Sequence, residues 1–151
     1  MNDVQDTVAD DRIRLSTRFG EFEADPRNLV LFPVGLPGFE TCRRFAILTS
    51  MLSAPLQCLY AVDGADASFL ALDPRLVLPD YRCVPSETDL VRLRCTDPSR
   101  LLWLALLSVD QKGSAFANLR APVVINPEVM VGFQLMPHNT LYPLRHAVSL
   151  R

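Results

Sequence analysis

Histidine does most acid–base work near neutral pH, and this chain has two, His138 and His146, both near its C-terminus. A hydrolase would pair such a base with a nucleophile on a strained turn. No Gly-x-Ser-x-Gly sequence occurs, and Ser114 after Gly113 does not make one. Without a nucleophile or a paired carboxylate, both histidines read as surface residues. Cys42, Cys58, Cys83 and Cys95 are widely spaced with no Cys-x-x-Cys pair, which is not a zinc pattern, and they read as buried free thiols. Asp63, Asp66, Asp73 and Asp80 are spread over two turns but lack the dense oxygen ligands and closing glutamate of a calcium loop. Gly35-Leu36-Pro37-Gly38 has the outline of a loop that clamps a phosphate backbone. Pro37 has no N–H to offer, however, and no basic residue lies between the glycines. These residues assign no catalytic centre, no cofactor and no metal.

Two other segments carry more information. One is Phe32-Pro33-Val34-Gly35-Leu36-Pro37-Gly38-Phe39-Glu40. The other runs from Asn118, Leu119, Arg120, Ala121 and Pro122 to Asn126, followed by Gly132, Phe133 and Gln134. Proline fixes φ, glycine admits positive φ, and the aromatic and β-branched residues supply surface to bury. Both read as scaffold, with Asn118 and Asn126 as turn or strand-end residues that satisfy nearby backbone groups.

The elements that hold these segments follow from the hydrophobic pattern. Ile13, Leu15, Thr17 and Phe19 alternate with polar residues up to Gly20, which predicts an amphipathic opening hairpin. Leu29 to Phe32 predicts a short buried strand, and Glu40 to Leu48 a short helix. Leu56 to Val62 and Ser68 to Leu72 predict a hairpin around Asp63-Gly64-Ala65-Asp66, closed by Asp73-Pro74. Pro79-Asp80-Tyr81 marks a turn. Ser86, with Asp89 three residues on, can cap a short helical turn. Val91 to Cys95, Leu101 to Val109, Ala121 to Ile125 and Val129 to Met136 complete the strand set. Many short strands with frequent turn signals predict a mainly β fold: a small closed antiparallel β-barrel with one or two short helices.

Length and charge bound the rest. With 151 residues the chain makes one domain, which at this size hides roughly 70% of its unfolded surface. Residues 1–11, with Asp3, Asp6, Asp10 and Asp11, are expected to be a disordered acidic N-terminus, and residues 12–151 the barrel domain. That N-terminus has no basic and apolar signal segment, and Leu101 to Val109 is far short of the roughly 20 residues of a membrane span. A cytoplasmic address without membrane contact is expected. The net charge of −2 argues against a dedicated nucleic-acid binder. Arg43 with Arg44, and Arg92 with Arg94, are the local basic concentrations, and they leave a small β-barrel RNA-binding module as the alternative reading.

Taken in order and separation, the motifs resemble those of the FliW flagellar assembly factors. The resemblance is carried by Phe19-Gly20, Phe32-Pro33 to Phe39-Glu40, Leu56-Gln57, Asp73-Pro74, Tyr81, Asn118 to Asn126, Gly132 with Gln134, and Tyr142. Cys58 stands where that family usually has serine, Phe133 lies between Gly132 and Gln134 where a basic residue is common, and the region after Tyr81, often acidic in the family, contains Arg82, Arg92 and Arg94. The resemblance implies a non-enzymatic cytoplasmic protein that binds flagellin as a chaperone and, in competition, the RNA-binding translational regulator CsrA. No direct nucleic-acid contact is expected. Asp80, Tyr81, Glu87 and Asp89 are the expected partner surface, because exposed acids beside a tyrosine suit a basic regulator.

Overall fold

Eleven strands run through the described residues of the computed structural model, which are 13–17, 20–50, 55–63, 67–137 and 141–149. The expectations for residues 1–11, His138 and the hairpin tip at 64–66 lie outside them. The opening hairpin is β1 (Ile13–Thr17) with β2 (Gly20–Ala24), in the register Leu15↔Phe22. Then come β3 (Leu29–Leu31), β4 (Arg44–Ser50), β5 (Gln57–Ala61) and β6 (Ser68–Leu72). After helix α1 (Glu87–Arg92) follow β7 (Leu102–Val109), β8 (Ala115–Ala117), β9 (Val123–Asn126), β10 (Val131–Gln134) and β11 (His146–Val148).

Seven of these strands close a ring in the order β3, β4, β5, β6, β7, β9, β10 and back to β3. Seven is odd, so strand direction cannot alternate all the way round, and one neighbouring pair must run parallel. That pair is β10 with β3, joined at Val131↔Leu31; every other pairing is antiparallel. The hairpin β1–β2 extends the ring from the end of β4, and β8 with β11 extends it from the end of β7.

Alternation along the strands sends one set of side chains into the ring. Val30, Phe32, Phe45, Leu59, Leu104 and Ile125 belong to this buried cluster. Phe32 and Phe45 meet edge to face at 5.2 Å, and fully burying each contributes about 1.5–3 kcal/mol. The outer faces are also covered. Ala46 and Leu48 pack with Phe22 beneath the opening hairpin, and Leu90 and Leu93 at the end of α1 pack on Val124, Val131 and Phe133.

Two expectations are corrected. Glu40 to Leu48 is not a helix: its second half is β4, whose inner face (Phe45, Ile47) and outer face (Ala46, Leu48) are both apolar, which hides the period of two. Val91 to Cys95 is not a strand but the end of α1 and its exit turn. The Ser86–Asp89 cap is present in full. Ser86 Oγ accepts from the Asp89 N–H and Asp89 Oδ2 accepts from the Ser86 N–H, both at 3.0 Å. Three single-turn 3-10 helices begin at Pro26, Pro74 and Pro98, each capped by the preceding aspartate, whose carboxylate accepts the N–H two residues on.

Candidate functional site

The four expected partner residues do not form one exposed patch. Asp80 stands in solvent on the turn closed by Tyr81 N–H to Leu78 C=O at 2.8 Å, and Glu87 is exposed at the start of α1. Neither has an ion pair among the described residues. Asp89 is committed to the helix cap and to Arg92, whose guanidinium donates to it at 3.2 Å. Tyr81 is turned inward and only 8% exposed, which corrects its expected place on the surface. Its hydroxyl donates to the Leu119 carbonyl at 2.9 Å, and its ring lies 4.6 Å from that of Tyr142. Burial, with smaller contributions from Cys83 and Tyr142, pushes the phenol well above its ordinary pKa. Tyr81 therefore anchors this turn to the Asn118 segment. Around Asp80 and Glu87 the surface also shows Val84 and Val91, 73% and 76% exposed.

The first scaffold segment is two turns in succession. Gly35 N–H bonds Phe32 C=O at 2.9 Å around Pro33 and Val34, and Phe39 N–H bonds Leu36 C=O at 2.7 Å around Pro37 and Gly38. Proline second and a positive φ (84°) third define a type II turn, which explains the Pro37-Gly38 pair. Glu40 folds back so that its carboxylate accepts the Gly38 N–H at 3.0 Å, and this bond and that from its own N–H hold its pKa below the ordinary range. Leu36 is buried in the core cluster, and Phe39 meets Phe69 edge to face at 5.1 Å. This end of the barrel is stoppered.

The second segment is tied down by side-chain amides. Asn118 Oδ1 accepts the N–H groups of Arg120 and Ala121 at 3.1 and 3.0 Å, turning the chain before Pro122. Gln134 Nε2 donates to the Ala121 carbonyl at 2.9 Å. Asn126, 5% exposed, donates to the carbonyls of Leu93 and Arg94 at 2.9 and 3.1 Å and accepts the Glu128 N–H at 3.0 Å. Arg94 has φ of 54°, with Arg94 N–H to Val91 C=O at 3.0 Å and Cys95 N–H to Leu90 C=O at 2.9 Å. This is a Schellman ending with arginine where glycine is usual. Asn126 clamps it to the barrel, and so fixes where α1 sits.

Among the described residues the opposite end of the barrel is open. A cleft of about 690 Å³ opens there, floored by Val30, Ile47, Leu104 and Ile125 and rimmed by Leu76, Leu102 and Trp103. Nothing in the sequence reading pointed to it, since Leu101 to Val109 read only as a strand. Leu102 is 52% exposed. The Asp-Pro-Arg sequence at 25–27, repeated at 73–75, was the available signal for its rim, because each marks a capped turn at this end.

A protein-family model described as FliW protein matches residues 14–148. The chain belongs to the FliW family. It is 33% identical over 133 residues to the flagellar assembly factor FliW of Natranaerobius thermophilus, covering 87% of this chain and 88% of that protein. The flagellar assembly factor FliW of Thermotoga neapolitana is 32% identical over 136 residues, covering 89% and 91%. A crystal structure of the flagellar assembly factor FliW superposes with a TM-score of 0.77 at 27% identity, covering 89% of this chain and 96% of that one. In this FliW chain the basic residues lie on separate elements, Arg43 and Arg44 entering β4 and Arg92 and Arg94 at the end of α1. Arg92 is already spent on Asp89 and on the face of Phe133, 4.5 Å from the ring centre. No group of three or more metal-ligating side chains is present among the described residues.

Proposed function

We propose that this FliW chain is a non-enzymatic flagellar assembly factor of the cytoplasm that binds flagellin as a chaperone and antagonises CsrA by exchanging one partner for the other. Accumulating flagellin occupies the chain and leaves CsrA free to repress flagellin mRNA. Export of flagellin releases the chain to bind CsrA and lift the repression. The observation that carries this reading is membership of the FliW family across residues 14–148, with the two segments that carry the resemblance spent on scaffold. The surface left for partners includes α1 and the turn before it, where Asp80 and Glu87 present unpaired negative charge beside Val84 and Val91. Such a surface suits a basic partner and disfavours RNA.

Calorimetry tests it. The chain is titrated separately with CsrA, with monomeric flagellin and with an RNA hairpin, and then with flagellin against the preformed CsrA complex. Binding of both proteins, displacement of one by the other and no RNA binding is the expected result. Glu87→Lys and Asp80→Lys weaken CsrA binding, most at low salt. Unchanged affinity moves the CsrA surface elsewhere, and salt-sensitive binding of RNA alone replaces the reading with the RNA module.

A further inference from the structure

We propose that the open end of the barrel is a separate binding site, which takes an uncharged, apolar stretch of polypeptide. The cleft of about 690 Å³ is within the usual range of roughly 300–1,000 Å³ for built binding sites. Its floor is the end of the barrel core that the described residues leave uncovered, where Val30, Ile47, Leu104 and Ile125 meet it. At the rim Leu76 and Leu102 are 57% and 52% exposed, so the apolar surface continues from the floor out to solvent.

The charges around the mouth select the occupant. Asp73 with Arg75 at 3.0 Å and Arg100 with Glu128 at 2.7 Å are each closed on themselves, and Asp25 also pairs with Arg27 at 3.0 Å. Asp73 and Arg75 line the cleft directly, and Arg27 and Arg100 adjoin its lining residues Asn28 and Leu101. Balanced pairs attract neither an acidic nor a basic segment, and a charged group entering between them would lose its water without gaining a partner. Hydrocarbon alone fits less well. Thr49 and Gln57 face each other across β4 and β5 at the cleft, and neither side chain has a hydrogen-bond partner among the described residues. A peptide backbone supplies both a donor and an acceptor for them, and an acyl chain supplies neither.

The sole tryptophan, Trp103, borders this cleft and packs behind it with Leu93 and Val124, so its emission is followed together with calorimetry. In the full chain, a capped peptide of leucine, serine and glycine is expected to shift Trp103 emission saturably. The same peptide with lysine or glutamate in place of serine is expected to bind at least about tenfold more weakly. Leu102→Glu and Leu76→Glu each weaken the neutral peptide by about tenfold or more, the scale of one leucine's burial. Both sites are half in solvent, so both variants should melt cooperatively near the wild type. Absence of saturable binding in both measurements overturns the proposal, as does equal binding of the charged peptides or preferential saturation by a fatty acid. A second arm rests on the flagellin reading: monomeric flagellin is titrated against wild type, Leu76→Glu and Glu87→Lys. Loss of flagellin binding with Leu76→Glu alone supports the cleft as the flagellin site, and equal binding by all three excludes it from that role. Failure of the wild type to bind flagellin, with the peptide shift intact, overturns the flagellin reading and leaves the cleft standing.

Discussion

The ring of Phe32 lies against the bare Cα of Gly132. A Cβ on Gly132 would stand 2.8 Å from Phe32 Cζ, 2.9 Å from Cε2 and 3.2 Å from Ile125 Cγ1. The two residues come from the two family segments and face each other beside the parallel seam. Glycine is needed at 132 because phenylalanine is at 32.

Gly132→Ala therefore overpacks the core, since the ring is wholly buried and held by Phe45. A loss of about 1–3 kcal/mol is expected in urea denaturation. Phe32→Leu should make the alanine easier to bear, so that the double variant loses less than the two single losses added together. Simple additivity would mean that the contact does not matter.

Asn126→Ala leaves two carbonyls and one N–H without their partner and should cost about 1–3 kcal/mol. Asn126→Asp should be worse, because its carboxylate would face two carbonyl oxygens. Hydrogen exchange should speed up at residues 90–95 before the barrel strands. Arg94→Gly goes the other way, gaining up to about 1 kcal/mol by relieving the left-handed residue.

Tyr81→Phe removes the donor to the Leu119 carbonyl, with an expected loss of about 1–2 kcal/mol. The raised phenol pKa fixes the sign of the alkaline behaviour. The stability tied to neutral Tyr81 is fully present below the ordinary tyrosine value of about 10 and falls as pH rises above it. Ultraviolet difference titration should show Tyr81 ionising only as the chain unfolds, a step that Tyr81→Phe abolishes.

Burial works against ionisation of Asp73, but hydrogen bonds from the side chain and N–H of Arg75, with its charge, outweigh it and lower the pKa. The resulting stability is present above the ordinary carboxylate value of about 4 and is lost as pH falls through the lowered one. Arg75→Ala should thus melt below wild type at neutral pH, and the gap should narrow on acidification. A gap that stayed constant with pH would show that Arg75 acts by packing alone.

Local chemistry was readable in the residues wherever turn and cap rules apply. Ser86 with Asp89 marked the start of α1, Pro37 and Gly38 a segment of constrained backbone, and the β5–β6 hairpin its own boundaries. Strand β4 escaped because both its faces are buried. Arg94 escaped because its left-handed backbone depends on Asn126, more than thirty residues further along the chain. The three-residue strands β8 and β11 are too short to show a period, and exist by pairing with each other and with β7. For the site, Asp80 and Glu87 were readable as exposed acids. The inward turn of Tyr81 and the open cleft depend on contacts between distant strands.

The parallel seam also sets an order of events during synthesis. Leu31 and Val131 are about a hundred residues apart, so the ring cannot shut until β10 has left the ribosome. Before β9 and β10 arrive, the pairings from β3 to β7 can form only an open sheet whose free edges are β3 and β7. Closure of this barrel comes late, and a chain truncated before β10 would expose the free edge of β3, still paired with β4 on its other side, instead of forming a smaller working version of itself.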